Sequence, residues 1–253
     1  MGFYDYPKDE RQRIVERMKK AIANGVESGD RNVVRGYASD GDTYIRKNTY
    51  LIIGRLFRER EDLRDSILRL LQDLYEDSDE RVRQTAIHAA GEIGKINASA
   101  ALEMLGRALF DKHHSVRNAA VGSLKRMGQD NPTPVLEFAE RFMHHPDPLV
   151  RRIVIHGIEL RGRTHPEDIL PLLAKMQGER DKRVRRMIIH VLGQISYKEG
   201  CLEKVISALS KWTDRDLVRR AAAEILSVHR RYERFSAKSY VEARKYIEQR
   251  LKE

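Results

Sequence analysis

The pair Val-Arg recurs at 82–83, 116–117, 150–151, 184–185 and 218–219, a constant step of 34 residues, and Ile45-Arg46 stands 37 residues before the first of them. A fixed period of that length marks a solenoid, in which each repeat buries its apolar face only against its neighbours. Such a pattern constrains the fold more tightly than the function, because solenoids are mostly surfaces for binding something else.

With the Val or Ile of each pair as position zero, apolar or small residues fill positions 0, 4, 7, 8 and 11 of most repeats, as Val82, Ala86, Ala89, Ala90 and Ile93 do in the second. At 100° per residue these form one stripe, the mark of an amphipathic helix. Asp42, Asp79, Asp147 and Asp181 stand three positions upstream, where N-caps belong. An earlier helix precedes each of these at the same interval: Leu70-Leu71-Leu74, Met104-Leu105-Ala108, Phe138-Ala139-Phe142 and Leu172-Leu173-Met176. In the sixth repeat the first helix, Leu202, Val205, Ile206 and Leu209, slips by one, so the extra residue is expected in the turn 213–216. Residues 9–27, with Ile14, Val15, Met18, Ile22 and Val26 on one face, read as an N-terminal capping helix or the first helix of repeat one. Residues 237–252 read as the C-terminal cap, with Tyr240, Val241, Tyr246, Ile247 and Leu251 as its apolar residues. The expectation is an all-α, single-domain solenoid over 1–253: a cap region at 1–38, about six helix-pair repeats at 39–235 and a capping helix at 236–253.

This pattern resembles the HEAT and HEAT-like repeat family, whose units carry an Asp at the inter-helix turn and a Val-Arg at the start of the second helix. The resemblance covers roughly residues 40–231. Tetratricopeptide repeats share the length, but their Trp-Leu-Gly-Tyr signature is missing. The six arginines Arg46, Arg83, Arg117, Arg151, Arg185 and Arg219 sit in the first turn of a helix, where a cation opposes the macrodipole and needs a compensating partner. The capping Asp of a neighbouring repeat is the expected one, giving a structural ladder along the stack.

Composition adds bounds. Apolar residues make up 41% of the chain, enough for a continuous core, and no apolar run is long enough for a membrane span. The start Met1-Gly2-Phe3-Tyr4-Asp5 lacks a secretory pattern, and the lone Cys201 excludes an internal disulfide and a four-cysteine metal site. A cytoplasmic protein is expected, with no membrane contact. The net charge of +10 is uneven: residues 1–140 carry 23 Lys and Arg against 23 Asp and Glu, whereas 141–253 carry 25 against 15. A basic C-terminal part points to an acidic macromolecule as partner, nucleic acid (DNA or RNA) before acidic protein.

Positions 2, 6, 9 and 13 fall opposite the apolar stripe, and in HEAT-like solenoids the second helices line the concave surface. By that resemblance these positions face a groove. Position 2 reads Lys47, Gln84, Asn118, Arg152, Arg186 and Arg220, and position 6 includes His156 and His190. Helices stacked about 10 Å apart would let Arg152, Arg186 and Arg220 follow a phosphate backbone, with His156 and His190 as donors beside them. Lys182-Arg183-Val184-Arg185-Arg186 and the segment His229 to Phe235 also mix basic residues with some aromatics; Tyr232 and Phe235 are expected to pack against the terminal helix. His113-His114 and His144-His145 lack acid or Cys ligands at metal spacing, and no phosphate-binding Gly loop or nucleophile elbow occurs, so no metal and no cofactor are expected.

One stretch keeps an enzymatic alternative open. Lys211-Trp212-Thr213-Asp214-Arg215-Asp216, followed by Arg220-Ala221-Ala222, loosely resembles a segment of the alkylpurine DNA glycosylases built from HEAT-like repeats. In that family a Trp and an Asp contact the damaged nucleotide, which would carry those roles to Trp212 and Asp216. The segment is two residues shorter here, lies in the last repeat and has no later repeat to supply the family's Arg. The expectation is a non-catalytic binding scaffold, with a glycosylase-like enzyme or a protein–protein adaptor as alternatives.

Overall fold

The computed structural model describes residues 2–251, which are helical with no strand among them. They fall into two compact bodies, 1–131 and 132–253. In the N-terminal body α1 (Lys8–Ser28) is the cap, ended by Gly29 in the left-handed conformation at φ 73°, which glycine adopts without a steric penalty. Three helix pairs follow: α2 (Arg31–Ala38) with α3 (Thr43–Glu59), α4 (Arg64–Tyr75) with α5 (Glu80–Gly94), and α6 (Ala98–Ala108) with α7 (His114–Asp130). The C-terminal body holds α8 (Pro132–Met143) with α9 (Pro148–Gly157) and its short continuation α10 (Glu159–Gly162), α11 (Pro166–Lys175) with α12 (Lys182–Gln194), and α13 (Cys201–Leu209) with α14 (Arg215–Arg231). The cap α15 (Tyr240–Arg250) closes it. Six pairs are present as expected, but the first helix of repeat one is α2, within the residues read as the cap region, and 9–27 is the capping helix.

Within each body the second helices stack on one another, α3 on α5 on α7 and α9 on α12 on α14. The apolar stripe forms the core: Val82, Ala86, Ala89, Ala90 and Ile93 are buried, as are Val184, Ile188, Val191 and Leu192 three repeats later, in the C-terminal body. Asp42, Asp79, Asp147 and Asp181 cap their helices by accepting backbone amides of the first turn. The inserted residue of repeat six sits where expected, since Asp214 now lies four positions before Val218 and caps α14 by accepting the Leu217 amide. The Gln177 side-chain carbonyl receives the Thr213 and Asp214 amides and pins this longer turn. The C-terminal cap corrects the sequence reading: Ala243 and Ile247 face inward, whereas Val241 is exposed. One turn of α15 is all that the last repeat covers.

The ladder exists, but not always with the expected acid. In two of the three rungs the partner is the acid two positions before the cap of the next repeat, and in the third, Arg185, it is the expected capping residue, Asp214. Arg83 makes a bidentate pair with Asp111 at 2.9 and 3.1 Å, and Arg151 pairs with Glu179 at 2.7 and 2.9 Å. Arg185 reaches Asp214 at 2.7 Å. Each guanidinium also donates to carbonyls of its own inter-helix turn, such as Asp77 and Ser78 for Arg83 and His145 and Pro146 for Arg151. That second role explains a cation at a helix start. The side chain folds back and satisfies carbonyls left over by the preceding helix. Arg46 and Arg117 have no ladder acid among the described residues and donate to the carbonyls of Asp40 and Gly41 and of Asp111 and Lys112, Arg46 also to Thr43 Oγ1. Asp77, which Arg46 would have needed, is held by Arg31 and Arg35. Arg219 is exposed and, among the described residues, pairs with Asp216 alone.

On α5, His88 lies 4.9 Å from the Tyr50 ring and accepts a hydrogen bond from Arg126 at its Nδ1, 3.1 Å away. Burial first, then the Arg126 and Arg46 charges, push its pKa down to about 4. Protonation would end the accepted bond and set two cations together. The unfolded chain takes up this proton below about pH 6.5, the folded chain only near the depressed value. Stability is therefore expected to fall between those two pH values, by up to roughly 3 kcal/mol. Urea unfolding of wild type and His88→Gln across that range tests this, and equal slopes for the two would refute it.

Candidate functional site

The first turns of α9 and α12 enclose a cleft of about 360 Å³ with Pro148, Leu149 and Met187 among its lining residues and Arg152, Arg183 and Arg186 around it. The repeat places Arg152 and Arg186 at one position of successive second helices, which brings them to the same cleft. Neither has an ion-pair partner among the described residues. Arg183 is held loosely by Asp181 at 3.5 Å. Arg220, the third of the sequence-derived row, differs: Asp216 sits one turn before it and pairs with it at 2.9 Å. The Asp216 carboxyl is held below its ordinary value first by Arg219 and then by Arg220. The row of three is therefore two unpaired cations and one neutralised. An Asp four residues before an Arg on one helix was a visible signal for this.

His156 and His190 are not free donors beside a groove. Both rings point Nε2 at one oxygen of Glu159, at 3.3 and 3.4 Å, and their centroids are 6.1 Å apart. Glu159 is 1% exposed. Its other oxygen accepts from Arg163 at 2.5 Å, and Arg163 donates in turn to Gln194 at 2.9 Å. Glu159 occupies position 9, which the sequence reading put opposite the core. The structure corrects this: Gly54, Gly91 and Gly193 at that position are buried against the next second helix. Where three repeats need a glycine for a close approach, repeat four carries a carboxylate, and its second helix is interrupted at Ile158.

The remaining candidates are dispersed. Trp212 is 4% exposed, beneath the α13–α14 turn, and Asp216 is occupied by Arg219, Arg220 and Arg185. In the basic-aromatic segment, Tyr232 packs on Tyr197 at 5.4 Å, and Phe235 is 78% exposed. Arg230 lies over the Tyr240 ring of α15 at 4.3 Å. No helix among the described residues is long and apolar enough to cross a membrane.

A sequence profile of HEAT repeats matches residues 32–124 and 135–227. The chain belongs to the HEAT repeat family. No curated protein sequence matches it. Among solved structures, AlkD2 from Streptococcus mutans aligns over 81% of this chain and 97% of its own, at 14% identity with a TM-score of 0.56. Importin beta aligns over 80% of this chain and 30% of its own, at 14% identity and a TM-score of 0.49. Escherichia coli YibA aligns over 97% and 89%, at 18% identity and a TM-score of 0.44. At these identities the likeness is one of fold. HEAT repeats explain the helix pairs and the Val-Arg ladder, and they leave Arg152, Arg186 and the Glu159 cluster as features of this chain.

Proposed function

We propose that this HEAT-repeat protein is a binding scaffold whose C-terminal body presents a basic face to an acidic macromolecule, nucleic acid before acidic protein. The observation that carries the reading is the α9–α12 cleft, where Arg152 and Arg186 stand together without an acid. Arg183 beside them is held only loosely by Asp181, so two cations at one repeat position of successive helices stay charged around a single cleft. Residues 132–253 hold 25 Lys and Arg against 17 Asp and Glu, so the field around the cleft is positive as well. Arginine suits phosphate, because its planar fork can meet two oxygens at once.

Binding of this kind releases counterions, so affinity for DNA or RNA should fall steeply with salt and show little sequence preference. The double variant Arg152→Gln/Arg186→Gln should lower the salt slope on duplex DNA by about 1.8, two contacts' worth, with helical content unchanged. Adding Arg220→Gln should do less than a third full contact, since Asp216 already neutralises that side chain. Lys47→Gln, in the N-terminal body, should leave the slope alone. Fluorescence anisotropy over a salt series reads all four proteins. Should the intact protein show no salt-sensitive binding at micromolar concentration, or the double variant bind as wild type does, the basic cleft is only solvated surface and a protein–protein adaptor takes its place.

A further inference from the structure

We propose that His156, Glu159 and His190 form a binding site for a divalent transition metal ion, zinc by its ligand chemistry, with two imidazole nitrogens and one carboxylate oxygen as protein ligands. The three ligand atoms all lie within 4.8 Å of one another. The guanidinium of Arg163 holds the other Glu159 oxygen at 2.5 Å. The two imidazole nitrogens stand 3.3 and 3.4 Å from the ligand oxygen of Glu159. A tetrahedral ion with ligands at about 2.0–2.1 Å separates its donor atoms by about 3.3 Å. Each nitrogen–oxygen distance matches an edge of such a tetrahedron, and the two nitrogens, within 4.8 Å of each other, would draw together about a bound ion by rotation of the half-exposed rings.

The surroundings have the form of a metal site. Glu159 is buried, and Arg163, fixed by Gln194, holds the oxygen that would not ligate, the kind of outer contact that orients a ligating carboxylate. The two histidine side chains are 33% and 40% exposed, which leaves an approach from solvent. Repeat geometry delivers the ligands: His156 and His190 are one period apart on successive second helices, and the break at Ile158 sets Glu159 between them. Three protein ligands leave a fourth position for water or an anionic oxygen. Arg152 and Arg186 lie one helical turn earlier on the same two helices, so the ion would extend the positive face, although the site stands independently of nucleic-acid binding.

The test is titration of the metal-free chain with zinc by calorimetry in the absence of nucleic acid, and with Co2+ by visible absorption, where a tetrahedral site gives intense d–d bands. One ion per chain at micromolar affinity or better is expected. His156→Ala and His190→Ala should each weaken it by more than the about 10–100-fold typical of an outer-shell partner and abolish the cobalt bands. Glu159→Gln should do the same, and circular dichroism of the two histidine variants, which remove half-exposed side chains, guards against a folding defect. Replacement of His113 and His114 by Ala should leave the bands intact. Absence of tight binding to the wild type, or cobalt bands that survive both His156→Ala and His190→Ala, would overturn the assignment.

Discussion

Replacing Arg83 with Leu is expected to lower the unfolding free energy by about 3–5 kcal/mol, the range for one partner removed from a buried ion pair. The Arg83 and Asp111 side chains are 7% and 6% exposed. Burial pushes the Asp111 carboxyl upward, but the hydrogen bonds from Arg83 and from the His113 amide hold it below its ordinary value. Leu at 83 leaves burial as the dominant influence and also strips donors from the carbonyls of Asp77 and Ser78. The sign of the pH dependence follows. In wild type the depressed carboxyl contributes stability above the unfolded pKa that is lost as pH falls through the folded one. In Arg83→Leu the orphaned carboxyl titrates above its unfolded value, so the deficit should shrink on acidification as it protonates. Arg219→Leu is the control, because that side chain is 76% exposed, and its effect should stay within about 0.5 kcal/mol. Chemical denaturation at several pH values measures both; an Arg83→Leu deficit no larger than that of Arg219→Leu would refute the buried ladder. A double-mutant cycle with Asp111→Leu should recover part of the loss, since an apolar pair leaves no charge uncompensated.

The contrast between those two arginines shows which parts of the fold were legible in the sequence. Helix pairs and N-caps were, because both are local: a stripe at 100° per residue and an Asp three positions before it need no knowledge of the neighbouring repeat. The ladder partner is a relation between repeats. Its signal was present, since Asp77, Asp111 and Glu179 share one offset five positions before the Val, but the nearer capping Asp masked it. The site was less legible for a related reason. Averaging over repeats finds what recurs, such as Arg152 and Arg186, and hides what departs. Glu159 is the departure, a carboxylate where Gly54, Gly91 and Gly193 stand, and only the structure shows that position 9 faces a neighbouring helix. Arg220 looked equivalent to its two counterparts because a row read down the repeats ignores Asp216, one turn away along the helix.

The glycines at position 9 give the second large effect. A Cβ placed on Gly91 would lie 2.4 Å from Ser123 Oγ, 2.5 Å from its Cβ and 2.9 Å from its Cα. The last of these is backbone, so no rotamer change relieves it, and α7 would have to withdraw from α5. Withdrawal would break the bond from Ser123 Oγ to the Ile87 carbonyl at 3.0 Å, buried on both sides. It would also open the seam of Ala86, Ala90, Ala119 and Ala120, where small side chains leave little to fill a gap. Overpacking of this kind costs about 1–3 kcal/mol, and an unsatisfied buried hydroxyl adds about 1 kcal/mol or more. Against this stands a gain of about 1 kcal/mol from replacing Gly by Ala within a helix. Gly91→Ala should therefore destabilise by about 1–3 kcal/mol. Gly122, on the partner helix, supplies the opposite sign, because a Cβ there meets only Arg126 Nη1 at 3.4 Å and the His88 ring at 3.7 Å. With no clash to relieve, Gly122→Ala should keep the propensity gain and stabilise by about 0.5–1 kcal/mol. Thermal and urea unfolding of the two variants decides the matter: if both shift stability in the same direction, close approach at position 9 does not set the spacing of α5 and α7.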